Sequence, residues 1–132
     1  MYKFGTRSKE RLEGVNKDLI KCLEMALAMS KHDMTIPWMG GLRTAEDQNA
    51  IFKDGNSKCD GYNKKSYHQS GNAADIIPVK GGYSNDKGFR HFAACMFHCW
   101  QKLLKAGEVR GLLEWGGHWQ NFIDSPHWQI RL

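Results

Sequence analysis

The sequence predicts an α+β fold: a small, mostly antiparallel sheet flanked by helices. Three observations lead there. Two segments place apolar residues at helical spacing. Several apolar runs are short and do not alternate as a half-solvated strand would. Helices and strands also mix without the regular strand–helix repeat of a parallel sheet.

Asn16 is placed to cap a helix over residues 18–30, whose apolar side holds Leu19, Ile20, Leu23, Met25, Ala26 and Leu27. Residues 35–39 read as a short extended run, with Pro37 suited to an edge. Thr44 followed by Asp47 forms a capping box that opens a helix, and Gly55 closes it. Residues 55–66 are rich in Gly, Asn, Ser, Asp and Lys and read as a loop at a site rim. Residues 73–79 read as one buried strand, followed by a turn at Gly81-Gly82 and Asn85-Asp86. The clearest helix covers residues 87–106, with Phe89, Phe92, Ala93, Met96, Phe97, Trp100, Leu103 and Leu104 as its apolar face and Gly107 at its end. Leu112–Trp115 and residues 127–130 are the last strand candidates.

At 132 residues the chain has room for one domain, 1–132, with one sizeable core. Hydrophobic residues make up 41% and charged residues 25%, the balance of a soluble globular protein. No window has the unbroken apolar length of a membrane span, so no stable membrane insertion is expected. The first residues lack the apolar stretch of a signal peptide; the four cysteines, Cys22, Cys59, Cys95 and Cys99, are accordingly expected to be reduced thiols of a chain made in a cytoplasm. A net charge of +5 favours anionic partners such as an acidic wall polymer, or reflects solubility alone. The basic residues are scattered, without the basic block or helix face of a nucleic-acid reader, and no nucleic-acid partner is expected.

The chemistry concentrates in two motifs. In the first, His68 and Asp75 are joined by small residues and Gly71, which allow a tight approach. Asp75 interrupts an apolar strand, where a carboxylate is costly unless a cation or strong hydrogen bonds compensate it. Zinc accepts both imidazole nitrogen and carboxylate oxygen. Spacing alone also fits a hydrogen-bonded turn aspartate beside an ordinary histidine. In the second motif, Asp124 precedes His127 by three residues, with Pro126 stiffening the bend. An acid so placed suits a general base beside a metal-bound water. Together the motifs supply two imidazoles and one carboxylate, the donor count of a catalytic zinc with one open position.

These motifs resemble a known family. Ser66-x-His68-x-x-Gly71-x-Ala73-x-Asp75, followed by Asp124-x-Pro126-His127, is similar to the VanY-type D-Ala-D-Ala carboxypeptidase group of zinc peptidases, and within it to phage endolysins of the L-alanyl-D-glutamate endopeptidase type. Three further stretches agree, in order: Phe4-Gly5-x-Arg7-Ser8-x-x-Arg11-Leu12-x-Gly14-Val15, Gly41-x-Arg43-Thr44-x-x-x-Gln48, and Glu114-Trp115-Gly116-Gly117-x-Trp119. The resemblance runs from Phe4 to Ile130. It implies the Hedgehog/VanX-like zinc peptidase fold, with His68, Asp75 and His127 as ligands of one catalytic Zn2+. It implies Asp124 as the base that activates water and returns the proton to the leaving amine, and Arg43 as the cation that steadies the carbonyl oxygen. It also implies a monomer that cleaves the L-Ala–D-Glu bond of peptidoglycan. Such an enzyme is made in the host cytoplasm and reaches periplasm or wall through a holin-made opening. Removal of terminal D-Ala, or zinc-dependent wall binding without catalysis, are the alternatives. Two positions depart from the family pattern: Asn16-Lys17 stands where His-Pro is common, and His118 where an acid is common.

Several residues carry a second reading. Glu114 competes with Asp124 for the base, or orients a ligand imidazole from behind. Ser66 and Gln48 fall inside the matched motifs and are expected beside the site. Trp115, Trp119 and Trp128 either wall a substrate cleft or pack internally. Lys64 and Lys65 meet substrate carboxylates or belong to a solvated loop. His91, Cys95 and His98 recur along one helix, with Cys99 nearby; they are expected away from the apolar face, as packed or solvated side chains rather than a second metal site.

Overall fold

The computed structural model describes residues 1–132. Four α-helices and two small antiparallel sheets are built around one core. Helix α1 (Thr6–Arg11) leads into α2 (Lys17–Met29), and strand β1 (Met34–Thr35) precedes α3 (Ala45–Lys53). Strands β2 (Ala73–Asp75) and β3 (Ile77–Pro78) follow, then the long helix α4 (Asp86–Lys105), β4 (Leu112–Trp115) and β5 (His127–Arg131). One sheet has the order β2-β5-β4 and the other pairs β1 with β3. No helix is long and apolar enough to cross a membrane.

The expected N-cap forms as read: Asn16 Oδ1 accepts from the Asp18 amide at 2.8 Å, satisfying a donor the helix leaves open. The same side chain donates to Asn72, and the Asn16 amide donates to the Gly71 carbonyl, so this cap also ties α2 to the turn beyond His68. Leu19, Leu23, Ala26 and Leu27 of α2 share the core with Phe92, Met96, Trp100 and Leu103 of α4. Cys95 and Cys99 lie in this core at 4% and 2% exposure, which corrects their expected place off the apolar face. The buried stripe of α4 is wider than its large residues suggest, because the small thiols fill the close approach to α2. Leu104, assigned to that stripe, is exposed instead. All four cysteines are free thiols. Burial, reinforced by Cys99, pushes the Cys22 thiol up to about 12, so it stays protonated and unreactive.

Residues 73–79, read as one strand, divide between the two sheets. Ala73, Ala74 and Asp75 pair with Gln129, Trp128 and His127. The Ile76 amide then donates to the Pro126 carbonyl, and Ile77 and Pro78 turn to pair with Thr35 and Met34. The apolar run hides this break because both halves are buried. The extended run at 35–39 shortens to Met34–Thr35, since Pro37 has no amide to donate and Met39 turns through φ 61°. Helix α1 had no periodic signal. It is held by Ser8, whose Oγ bonds Thr35 Oγ1 and accepts from the Ile36 amide, and by Arg11, which donates to the Ile36 carbonyl.

The register aligns one face of the sheet with the chemistry. Period-two alternation sends Trp128 and Ile130 into the core, while His127, Gln129 and Arg131 share the opposite face. Asp75 stands directly across from His127, and Glu114 across from Gln129. The α2–α4 seam carries this platform: Leu23→Ala is expected to lose about 2–5 kcal/mol of stability by urea denaturation while leaving metal affinity unchanged.

Candidate metal centre

His68 sits on a single 3-10 turn (Tyr67–Ser70) that the sequence builds with caps at both ends. Ser66 Oγ accepts from the His68 amide, and Gln69 Oε1 accepts from the Ser66 amide, a reciprocal box. Gly71 closes the turn at φ 80°, where a Cβ would stand 2.5 Å from the Gly14 carbonyl oxygen. His68 Nδ1 lies 2.9 Å from the Gly41 carbonyl oxygen, which can only accept. That bond fixes the proton on Nδ1 and leaves Nε2 as a bare lone pair. Gly41 is itself forced: a Cβ there would meet the Arg11 carbonyl oxygen at 1.9 Å.

His127 is oriented in the same manner from the other side. Its Nε2 lies 2.8 Å from Gln129 Oε1, and Gln129 Nε2 donates to Glu114 Oε1 at 2.8 Å. An ionised carboxylate only accepts, so the amide of Gln129 must turn its NH2 toward Glu114 and its oxygen toward His127. The proton of His127 therefore rests on Nε2, and Nδ1 is free.

Asp75 completes the group. Its Oδ2 accepts from Arg43 Nη2 at 3.1 Å. Its Oδ1 is buried with no hydrogen-bond donor, 3.2 Å from His68 Nε2 and 3.3 Å from His127 Nδ1. The two ring nitrogens are 3.2 Å apart. Three lone pairs thus face one another with no donor assigned between them, a costly arrangement unless a cation fills the centre. Ligands about 2.0–2.1 Å from a tetrahedral metal are separated by ~3.3 Å edges, the spacing seen here. These are the only three His, Cys, Asp or Glu donor atoms grouped within 4.8 Å of one another. His91, in contrast, accepts from the Lys31 amide with Cys95 Sγ 3.7 Å away, and His98 is exposed.

The other expected residues gather around this triangle in unequal ways. Arg43 is pinned by three acceptors: Met39 O at 2.8 Å, Gln48 Oε1 at 3.0 Å and Asp75. Gln48 is fully buried and ties Arg43 to the rim loop through Ser57 Oγ and the Cys59 carbonyl. Asp124 lies in the turn before β5, its carbonyl accepting from the His127 amide and its amide donating to the Gly116 carbonyl. Gly116 is required for this approach, since a Cβ would come within 2.3 Å of the Asp124 carbonyl oxygen. Burial, then the negative charge of Asp75, raises the Asp124 carboxyl above its ordinary value, with His127, His68 and Arg43 opposing.

Among the tryptophans, Trp119 packs against the His127 ring at 5.1 Å between centroids. Trp115 stacks on Trp128 and donates to the Ser125 carbonyl at 2.7 Å, steadying the turn that carries Asp124. Trp128 is only 1% exposed and belongs to the core, so of its two readings internal packing holds and the cleft wall does not. Period two places it opposite His127. His118 stacks on Phe97 and meets the edge of Trp115. Lys64 and Lys65 are exposed. Glu114 has both oxygens engaged, by Gln129 and by Arg131 Nη2.

Two residues escaped the sequence reading. Gln129 carried a signal, its position two residues beyond His127 on the same strand face. Tyr83, on the 3-10 turn Gly82–Ser84, had none, because that turn is marked in the sequence only by Gly81-Gly82 and Asn85-Asp86. Tyr83 is 67% exposed, and partial burial of its phenol, then the charges of Asp75 and Asp124, raises its pKa while Arg43 lowers it.

Without a cation the centre attracts protons. Burial lowers the His127 pKa, but its contact with Asp75 more than offsets that and the net shift is upward. Asp75 shows the reverse balance: burial raises it, and the facing His68 and His127 hold it well below the usual carboxylate range. Protons therefore compete with metal up to a pH above the ordinary imidazole value. Metal affinity is expected to be constant at higher pH and to fall about tenfold per unit once pH drops below the raised His127 pKa. Chelator competition between pH 8 and 5 measures it.

Known proteins share this arrangement of chain. The profile of the phage L-alanyl-D-glutamate peptidase family matches residues 1–129. An L-alanyl-D-glutamate peptidase of Listeria phage A118 is 33% identical over 95 residues, covering 67% of this chain and 28% of that protein. The chain thus spans well under two thirds of that relative's length. The crystal structure of the L-Ala D-Glu endopeptidase ChiX of Serratia marcescens superposes with a TM-score of 0.78 at 26% identity, over 98% of this chain and 90% of the other. The chain belongs to the phage L-alanyl-D-glutamate peptidase family.

Proposed function

We propose that the chain is a zinc-dependent endopeptidase that hydrolyses the L-Ala–D-Glu amide of peptidoglycan stem peptides, the wall-degrading lysin of a phage. The observation that carries the proposal is the convergence of His68 Nε2, His127 Nδ1 and Asp75 Oδ1 on one point with no donor assigned between them. Family membership and the names of its relatives supply the bond.

Two imidazoles and a carboxylate suit zinc better than magnesium or calcium, which prefer all-oxygen shells. Zinc bound by three protein groups keeps a fourth position open, lowers the pKa of a water from about 15.7 to near 7 and polarises a carbonyl. Asp124 then acts on protons: its carboxylate takes one from the attacking water and delivers it to the leaving amide nitrogen as the C–N bond breaks. One water is consumed, and one carboxylate and one amine are released. Arg43 uses three of its five N–H donors on protein acceptors, leaving two for a substrate carbonyl oxygen as charge develops there. Ser66 and Gln48 act indirectly, the first by capping the His68 turn and the second by holding Arg43. Trp119 beside His127 offers an aromatic wall to substrate.

Residues 1–132 form the catalytic unit in this reading. It works as a monomer on the wall, without nucleic acid or membrane insertion, and is made in the host cytoplasm before holin-assisted release.

Asp124→Asn is expected to keep stoichiometric zinc and lose about 10²- to 10⁴-fold in turnover, read by murein turbidity alongside metal analysis. Mass spectrometry of digested murein should show new amino-terminal D-Glu; free D-Ala in its place would identify a carboxypeptidase. EDTA should abolish the activity and added zinc restore it.

A further inference from the structure

We infer that Glu114, acting through Gln129, selects the tautomer of His127 and so sets the metal affinity of the centre from outside it. The inference rests on the metal reading above and adds a positioning residue and a means of control.

The register builds the relay. His127, Gln129 and Arg131 alternate onto one face of β5, and Glu114 of β4 stands opposite Gln129. Arg131 Nη2 engages Glu114 Oε2 at 2.8 Å, and Gln129 Nε2 donates to Oε1 at 2.8 Å. Gln129 Oε1 lies 2.8 Å from His127 Nε2. Exposure falls inward along the chain, from 60% for the Arg131 side chain through 21% for Glu114 to 7% for His127.

The direction of this relay is not set by shape. A side-chain amide turned end for end occupies the same space, and an imidazole can hold its proton on either nitrogen. Left alone, His127 gains by moving its proton to Nδ1, where Asp75 Oδ1 waits 3.3 Å away. In that form the proton sits where the metal must bind. Glu114 opposes it. Because its carboxylate only accepts, Gln129 must donate outward and accept inward, and Nε2 of His127 must carry the proton. Glu114 makes no contact with the three metal-facing atoms, and both its oxygens are occupied, so its effect passes through Gln129.

Glu114→Gln tests this by exchanging one oxygen for an NH2, so that either amide direction of Gln129 is satisfied. In metal-free protein, the ¹⁵N signals of the His127 ring should move toward the Nδ1-protonated form. Zinc affinity in chelator competition should fall about 10- to 100-fold. Turnover should drop at limiting zinc and recover as zinc is raised. The double exchange Glu114→Gln with Gln129→Glu places the carboxylate directly against His127 Nε2 and should restore both tautomer and affinity. A general loss of stability would not be rescued by that exchange, and the melting temperature of each metal-free variant guards against it. An unchanged tautomer with unchanged affinity in Glu114→Gln overturns the relay. Lost turnover at unchanged zinc affinity also overturns it, by making Glu114 the base. If wild-type protein binds no zinc, the metal reading fails instead, and the ring signals still decide the relay.

Discussion

Asp75 Oδ1 is a buried carboxylate oxygen that meets only the ring nitrogens of His68 and His127, and the surrounding structure holds it there. Such an atom is costly, because desolvation removes its water and nothing replaces it. Removing the conflict would be easy: a rotated side chain or a protonated histidine would suffice. Four features prevent rotation. Arg43 holds Oδ2, the Gly40 carbonyl takes the Asp75 amide, the β2–β5 register sets His127 opposite, and the Gly41 carbonyl fixes His68 from behind. The fold carries this local frustration as the means of presenting three lone pairs to a cation.

Most of the polar network serves that end at one remove. Gln48 anchors Arg43, Ser66 and Gln69 cap the turn of His68, and Glu114 with Gln129 directs His127. The glycines of the motifs serve close approach. Gly41, Gly71 and Gly116 each admit a backbone carbonyl where a methyl group would collide. The apolar contribution is more distant but larger in extent: the α2–α4 seam and the buried Trp128 and Ile130 hold the sheet whose other face carries the site. Metal affinity and folding stability are thus supported from opposite faces of β5.

The motif residues and the helices were legible in the sequence because their signals are local. Caps at Asn16 and Thr44, apolar periodicity in α2 and α4, and a charged residue inside an apolar run each declare themselves within a few positions. What was misread depended on partners distant along the chain. Residues 73–79 look like one strand until Pro126 claims the Ile76 amide and divides it between two sheets. Cys95 and Cys99 look like a separate face until α2 closes over them, and Trp128 fits cleft wall and core alike until the register turns it inward.

By itself the sequence determined which groups the motifs supply: two imidazoles, a carboxylate, an acid three residues before the last histidine, and an arginine just before a capped helix. It also determined the order of the motifs, and hence the family. Only the tertiary structure decided which atoms of those groups meet. Whether His127 offers Nδ1 or Nε2, whether Asp75 turns Oδ1 or Oδ2 inward, and whether Glu114 faces water or Gln129 are set by hydrogen bonds between strands β2, β5 and β4 and the turns beside them. Those choices depend on register, and register is a property of paired strands rather than of any one segment.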